Sequence, residues 1–227
     1  MLDGLQIPRQ KITERVADEL RQRILAGTIP PGTPLTEDAL ARSIGVSRST
    51  IREVVAMLAS EGLLTRSAST RVLQVTELSE DDVADIFTAR RMFEFAALAA
   101  VASASPTDWE RYERAIEAYS NAVQRQDVLS LVKADLECHI AEVALLGSNR
   151  LTEMYERLMH ELRLAFALAE APEQSRDELV LHQEFYRLLR SGQSSEAREQ
   201  LSTRLDASEA LLKALVRETR HARESQR

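Results

Sequence analysis

Cysteine is nearly absent from this sequence, and long apolar runs are absent altogether. Cys138 is the single cysteine among 227 residues, so no intrachain disulfide can form, and a reducing cytoplasm is expected. Because Cys138 has apolar neighbours, we expect it to be buried and inert rather than catalytic. No signal peptide and no apolar run of about 18 residues occurs, which argues against secretion and membrane spanning.

The net charge of -7 conceals an uneven distribution along the chain. Residues 1–75 contain 10 Lys and Arg against 8 Asp and Glu, whereas the remainder contains 19 against 28. An acidic average argues against a nucleic-acid partner. A mildly basic, Arg-rich N-terminal segment followed by an acidic remainder is nevertheless compatible with a small DNA-binding domain, in which a few well-placed arginines neutralise phosphates.

The stretch from Leu35 to Leu64 predicts two short helices joined by a tight turn. The first is expected from about Glu37 to Ser43, and its cap, apolar face and stop are supplied by Thr36, Ala39, Leu40, Ile44 and Gly45. The second is expected to be capped by Ser47 and to bury Ile51, Val54, Val55, Leu58 and Leu63. Arg48, Ser49 and Arg52 then point outward near its N-terminus, where a helix-turn-helix protein presents base-reading side chains. A surface helix with two solvated arginines would have the same pattern.

Helical and strand patterns flank this stretch. An amphipathic helix ending at Gly27 is predicted by the spacing of Ile12, Val16, Leu20, Ile24 and Leu25, with Thr13 among the polar residues on the opposite side. Weak alternation from about Leu63 to Val75 predicts a two-stranded wing.

The motifs of this region, in chain order, are Pro31-Gly32, Leu35 with Glu37, Leu40-Ala41, Val46 to Arg48, Arg52-Glu53 and Glu61 to Leu63. In this order they resemble the winged helix-turn-helix of the GntR family of bacterial transcription regulators. The resemblance implies DNA contacts by Arg48 and Arg52, with Ser47, Ser49, Thr50 and Arg71 as weaker candidates. Two departures stand out. Ser69 and Thr70 occupy the place of a wing-tip glycine, and Asp38, which would repel phosphate, occupies a position where some members have a DNA-contacting arginine.

From Ser79 onward the sequence predicts six consecutive helices, at about 79–104, 107–125, 127–146, 149–171, 174–191 and 194–222. Ser79 with Asp82 and Thr107 with Glu110 resemble capping boxes. Six antiparallel helices with short turns form a bundle. We therefore expect a mostly α protein with a winged helix-turn-helix domain over 1–76 and an all-α antiparallel six-helix bundle over 77–227.

Asp135 and His139 are four residues apart on one predicted helix, so they share a face and could bind a cation or simply hydrogen-bond to each other. Three predicted helices carry, in order, Arg90 and Glu94 before ALAA, Asp135 and His139 before Gly147 and Asn149, and His182 before SGQ. With these residues, the chain from Ser79 to about Ala214 resembles the FCD ligand-binding domain of the FadR-like GntR branch, and its six-helix count resembles the VanR-type subgroup. Many FCD domains bind a divalent metal such as zinc through one Asp and three His. The resemblance assigns Asp135, His139 and His182 to the first three ligand positions.

Arg204 occupies the fourth position, and a guanidinium cannot ligate a metal. In one interpretation a weak metal on the three remaining ligands helps to bind an acid effector. In the other, which we favour, Arg204 replaces the cation and pairs with Asp135 or with the effector carboxylate. Arg90 either adds a second positive contact or pairs internally with Glu94. The expected ligand is a small organic acid, held by Arg90, Asp135, His139, His182 and Arg204.

These resemblances imply a cytoplasmic transcription regulator, a repressor that binds a pseudo-palindromic operator as a homodimer and responds to an organic acid. It is not expected to be an enzyme. One alternative is a metal-dependent hydrolase using Asp135, His139 and His182 with Glu137 or Glu142 as base, although no HExxH motif occurs. Another is a helical adaptor whose winged helix binds protein.

Overall fold

A computed structural model describes residues 9–67, 70–126, 128–169 and 174–224. The chain divides into two compact units, Met1–Glu77 and Leu78–Arg227. The first unit contains α1 (Arg9–Leu25), α2 (Glu37–Ile44), α3 (Arg48–Ser60), β1 (Leu64–Arg66) and β2 (Leu73–Val75). The second contains α4 (Glu80–Ala100), α5 (Pro106–Arg125), α6 (Val128–Ala144), α7 (Asn149–Ala169), α8 (Gln174–Arg190) and α9 (Ser194–Glu224).

Local capping fixes the helix-turn-helix. The Thr36 hydroxyl accepts a hydrogen bond from the Ala39 amide at the start of α2, and the Ser47 hydroxyl accepts one from the Thr50 amide at the start of α3. Between the two helices Gly45 adopts φ 77°, a left-handed conformation that glycine reaches without a steric penalty. The predicted helix pair is therefore confirmed, including both caps.

The apolar face predicted for α2 is partly wrong. Ala39 and Ile44 are exposed and Leu40 is half-buried, whereas Ala41 is buried. Because α2 is only eight residues long, one side of it meets α3 and the remainder stays open to solvent. The predicted α3 face is confirmed, since its four apolar positions and Leu63 are all buried.

Helix α1 packs against α3. Near one end it is hydrogen-bonded to α3 itself, and near the other end to Glu61, the residue that follows α3. Thr13, which the spacing placed on the polar side, is instead buried and donates a hydrogen bond to Glu53 at 3.2 Å, while Ile12 is 43% exposed. Toward the other end of α1, Arg21 donates two hydrogen bonds of 2.6 Å to the Glu61 carboxylate. A bidentate pair of this kind fixes the orientation of both partners.

The two strands form an antiparallel wing, in register from Leu64 opposite Val75 to Arg66 opposite Leu73. The wing is tied to the segment before α2, because the Leu35 amide donates to the Leu73 carbonyl at 2.8 Å. Ser69 lies outside the described residues. Arg71 has φ 59°, so an arginine adopts the left-handed conformation in this glycine-free hairpin.

The second unit is the predicted six-helix bundle, and helix boundaries lie close to those expected. A short 3-10 turn, Val101–Ser103, follows α4. The expected capping box at Ser79 and Asp82 is present, but the second box is formed by Ser105 and Asp108 rather than by Thr107 and Glu110. The reason is Pro106, which occupies the first turn of α5 and suits that position because its missing amide has no partner there.

The core of the bundle combines aliphatic side chains with large aromatic ones. Helices α5, α6 and α7 pack consecutively, and α9 returns against α4, α7 and α8. Fully buried side chains include Phe87, Tyr112, Tyr119, Tyr155 and Phe185. Cys138 is buried as expected, and burial raises the pKa of its thiol well above the ordinary value, so the thiolate is disfavoured. Among the described residues, no helix is long and apolar enough to cross a membrane.

Candidate functional site

The N-terminus of α3 presents the predicted base-reading side chains. The side chains of Arg48 and Arg52 are 68% and 72% exposed, and they lie one helical turn apart. The Ser47 hydroxyl lies 2.8 Å from the hydroxyls of both Ser49 and Thr50. These five residues therefore form one polar surface around the first turns of α3. Arg71 lies in the wing hairpin, separated from them along the chain.

Two acidic residues of α2 pair with these arginines. Asp38 Oδ1 lies 2.9 Å from Nε of Arg48, and Glu37 Oε2 lies 2.9 Å from Nε of Arg52. Each pair uses the Nε side of the guanidinium. Exposed ion pairs contribute little net stability, so exchange of each carboxylate for a phosphate or a guanine costs little. Sequence reasoning treated Asp38 only as repulsive to phosphate and did not find its pairing with Arg48.

A carboxylate at the centre of the helical bundle gathers partners from three helices. Glu94 in α4 is fully buried and accepts hydrogen bonds from Arg90 Nε at 2.9 Å, Tyr155 at 2.6 Å and Arg204 at 3.1 Å. The Arg90 to Glu94 pair, one of the two roles considered for Arg90, is thus present. Tyr155 was not among the predicted site residues, and no spacing in the sequence connects it to α4.

Arg204 bridges two acids, and neither of them is its predicted partner. Its Nη2 donates to Glu94 and, at 2.7 Å, to Glu142. The expectation that Arg204 pairs with Asp135 is therefore wrong, because α9 directs the guanidinium toward α4 and the C-terminal end of α6. Asp135 instead lies 3.0 Å from Nε2 of His182. Glu142 follows His139 by three residues on α6, a spacing that could have indicated a shared face.

The two histidines predicted as ligands meet beside this ionic cluster. The rings of His139 and His182 are 4.9 Å apart, and His139 Nε2 lies 3.9 Å from Asp135. The potential ligand atoms of Asp135, His139 and His182 all lie within 4.8 Å of one another. The structure therefore brings the three predicted metal ligands together.

Two features of the histidine rings nevertheless argue against a metal at this position. Arg90 Nη2 lies 3.3 Å from His139 Nδ1 and can only donate, so Nδ1 must accept and the proton of the neutral ring must sit on Nε2, the nitrogen nearest Asp135. A metal on Nε2 would require the opposite tautomer. In addition, His182 Nδ1 has no hydrogen-bond partner among the described residues, although a ligating histidine normally donates its second N–H.

Burial and charge set the protonation of the cluster. Burial opposes the ionisation of Glu94, but the charges of Arg90 and Arg204 outweigh it and lower the pKa of that carboxyl. Burial also dominates at Glu142, whose pKa rises to about 7 despite the neighbouring Arg204. Burial, followed by the charges of the two arginines, lowers the pKa of His139 well below its ordinary value. His139 is consequently neutral at physiological pH.

A cavity of about 300 Å³ opens beside the cluster. Its wall includes four of the five predicted ligand-binding residues, Arg90, Asp135, His139 and Arg204, together with Tyr119, Phe166, Asp177, Glu178, Leu181, Ala207, Ser208, Leu211 and Leu212. His182 lies behind the wall, hydrogen-bonded to Asp135. The volume is at the lower end of small-molecule sites, and the mixture of apolar and charged side chains suits a small polar metabolite.

Comparison with known proteins covers both units. The family model described as bacterial regulatory proteins, gntR family, matches residues 12–72, and the FCD domain model matches residues 85–207. The gluconate operon transcriptional repressor of Bacillus licheniformis is 42% identical over 80 residues, which are 35% of this chain and 32% of that protein. The chain thus spans about a third of the length of the curated relatives it matches.

Solved structures resemble the chain over nearly all of its length. The crystal structure of a GntR transcriptional regulator from Rhodococcus sp. RHA1 has a TM-score of 0.68 and 28% identity, covering 89% of this chain and 97% of that one. E. coli McbR/YncC has a TM-score of 0.63 at 22% identity, covering 88% and 96%. The VanR-type subgroup stays a prediction. With one domain model on each unit and the FCD model covering more than half of the sequence, the chain belongs to the FCD branch of the GntR family of bacterial transcription regulators.

Proposed function

We propose that this regulator is a cytoplasmic repressor that binds a pseudo-palindromic operator as a homodimer and releases it when a small organic acid enters the helical bundle. The observation that carries the DNA-binding part is the exposed N-terminus of α3, where Arg48 and Arg52 form surface ion pairs. A recognition helix reads bases with its first turns, and arginine is the side chain best suited to guanine.

Sequence similarity to named repressors supports the regulatory part of the proposal. The relatives from two Bacillus species are named repressors of the gluconate operon, and repression relieved by a metabolite is consistent with an effector cavity in the second unit. The FCD family consists of transcription regulators and not of enzymes, so the hydrolase alternative has no support from the comparisons. Two-fold symmetry of the protein would be mirrored by two operator half-sites.

The effector can act only through differential binding. A ligand shifts an equilibrium between DNA-competent and DNA-incompetent arrangements by as much as its affinities for the two differ. Arg90 and Arg204 belong to α4 and α9, and Arg90 contacts α6, so a ligand bound to these guanidiniums can change how the three helices pack. We propose that this repacking alters the distance between the two DNA-binding units of the dimer.

Fluorescence anisotropy with operator DNA selected from a random pool tests the proposal. Arg48→Ala and Arg52→Ala are each expected to weaken binding by about 1 to 3 kcal/mol and to relax base preference at one position. Arg23→Ala is the matched control, because Arg23 is likewise exposed and paired through Nε with a carboxylate, but lies on α1. Binding without any sequence preference would refute the regulator proposal and favour the adaptor alternative.

The oligomeric state and the effector response need their own measurements. Sedimentation of the protein with a two-half-site operator is expected to give two chains per duplex, and a single half-site should bind much more weakly. Addition of an effector should lower the affinity for the operator. A stable one-to-one complex of full affinity on a half-site would exclude the dimeric mode.

A further inference from the structure

The wall of the cavity in the helical bundle has more acidic than basic side chains. Among the described residues that line it, Arg90 and Arg204 are the cations, whereas Asp135, Asp177 and Glu178 are acids. Asp177 and Glu178 are exposed residues in the first turns of α8, so they lie where the cavity meets solvent. A plain organic anion would therefore have to pass and adjoin three carboxylates.

Both cations already form ion pairs with carboxylates of the bundle. Arg90 pairs with Glu94, and Arg204 pairs with both Glu94 and Glu142. An added carboxylate would thus bring negative charge into a region whose positive charge is already balanced by Glu94 and, where it is ionised, by Glu142. At short range in a poorly solvated site this repulsion is large, because Coulomb energies increase as the effective dielectric constant falls.

Hydrogen-bond donors in the same wall nevertheless lack acceptors. Within the described part of the chain, Nη1 of Arg90 and both Nε and Nη1 of Arg204 have no hydrogen-bond partner. Arg90 is 1% exposed and Arg204 is 9% exposed, and these atoms are buried, so water does not satisfy them and a ligand oxygen reaches them only when the arginine side chains shift. Buried donors left without acceptors are costly, and this cost is removed when a ligand oxygen binds them.

We propose that the effector of this regulator is a small zwitterion, an amino acid or a related amino-bearing carboxylic acid. Its carboxylate accepts from the unsatisfied N–H groups of Arg90 and Arg204, and its ammonium group faces Asp135, Asp177 and Glu178. A zwitterion adds no net charge, supplies acceptors to the arginines and gives the acids a cation. The inference rests on the proposed function, because it names the chemical class of the ligand for the same cavity.

The ligand, rather than a metal, then brings the positive charge to Asp135. The contact between Arg90 and His139 Nδ1 favours the tautomer that cannot ligate a metal through Nε2. An ammonium group has no such requirement, since it donates directly to carboxylate oxygens. A cavity of about 300 Å³ limits the ligand to the size of a small metabolite.

Matched ligand sets test this inference on the chelator-treated protein. Each set contains an amino acid, the carboxylic acid without its amine, and the amine without its carboxylate, for example 4-aminobutyrate, butyrate and butylamine. A panel of α- and ω-amino acids of different lengths is compared by thermal shift and calorimetry. In at least one set the amino acid should bind about tenfold or more tightly than either partner, as expected for charged hydrogen bonds.

A double variant, Asp177→Asn with Glu178→Gln, separates the ammonium contact from folding. It should weaken binding of the best amino acid about tenfold while leaving the affinity of the matching plain acid unchanged or higher. Glu184→Gln is the control, because Glu184 lies on the same helix but outside the cavity wall. Equal losses for the amino acid and the plain acid would contradict an ammonium contact.

The outcomes distinguish this inference from the proposed function. A plain acid that binds as tightly as its amino acid and releases DNA would overturn the zwitterion and leave the organic-acid effector intact. Acid binding that appears only after zinc is added would also overturn it, because the metal would then supply the charge. If no member of any set binds, both the inference and the effector-controlled function fail.

Discussion

Replacing Glu94 with glutamine would test whether the buried ionic cluster stabilises the helical unit. Glutamine keeps the size of the side chain and one carbonyl oxygen, so the Tyr155 hydroxyl can still donate. The negative charge is lost, however, and among the described residues Arg90 has no other carboxylate partner. Because Arg90 is 1% exposed, its charge would remain buried without compensation.

The expected loss in the free energy of unfolding follows from this geometry. Removing one partner of a buried ion pair typically costs about 3 to 5 kcal/mol. Arg204 retains Glu142, which keeps the expected cost for Glu94→Gln within this range. For a unit of this size, the loss corresponds to a decrease in Tm of about 6 to 20 °C.

Tryptophan fluorescence during urea unfolding measures this loss in the relevant unit. Trp109 is the only tryptophan of the chain and lies in α5, where its ring packs edge-on against Tyr186 at 5.7 Å. The signal therefore reports unfolding of the helical bundle and not of the DNA-binding unit. Glu117→Gln, on an exposed position of the same helix as Trp109, is the control. A loss below about 1 kcal/mol for Glu94→Gln, indistinguishable from the control, would refute the stabilising role of the cluster.

Two further predictions concern the same cluster. The pKa of Glu142 is raised by burial from 4.5 to about 7, so the folded state holds this proton more tightly, and the corresponding stability is complete below pH 4.5 and lost as the pH rises through about 7. Glu142→Gln should flatten that part of the unfolding profile measured by Trp109 fluorescence, and an unchanged slope would contradict the assignment. Arg204→His adds an imidazole near Asp135, His139 and His182 and should increase bound zinc in metal analysis relative to the wild type and an Arg204→Lys control, whereas equal zinc in all three would contradict a role for Arg204 in excluding metal.

The helices and their caps were accessible to sequence reasoning because they depend on neighbours along the chain. Hydroxyl caps such as Thr36, Ser47 and Ser79 act within one turn, and apolar spacing is a property of a single helix. The error at the start of α5 has the same local origin. Both Ser105 and Thr107 could initiate a helix, and Pro106 selects the earlier start because its fixed φ suits the first turn.

The partners of the site residues were not accessible in the same way. Arg204 lies 62 residues from Glu142 and 110 from Glu94, so their contact depends on how α9 packs against α4 and α6. Spacing could relate Arg90 to Glu94, since they are four apart, but not to His139 on another helix. The resemblance to a metal-binding family drew attention to Asp135 as the partner of Arg204, whereas the packed bundle pairs Asp135 with His182.

The sequence by itself determined the order of helices, the wing, the outward arginines at the start of α3 and the family, because short-range periodicity, caps and motif order carry that information. Tertiary structure decided which charges meet. Asp38 became a partner of Arg48, Arg71 took the left-handed turn of the wing, and Glu94 became the centre of the buried cluster. Such pairings depend on the angles and distances between separate elements, so no local pattern in the sequence specifies them. Burial then strengthens the electrostatic interactions of the paired groups, because it removes water from around them.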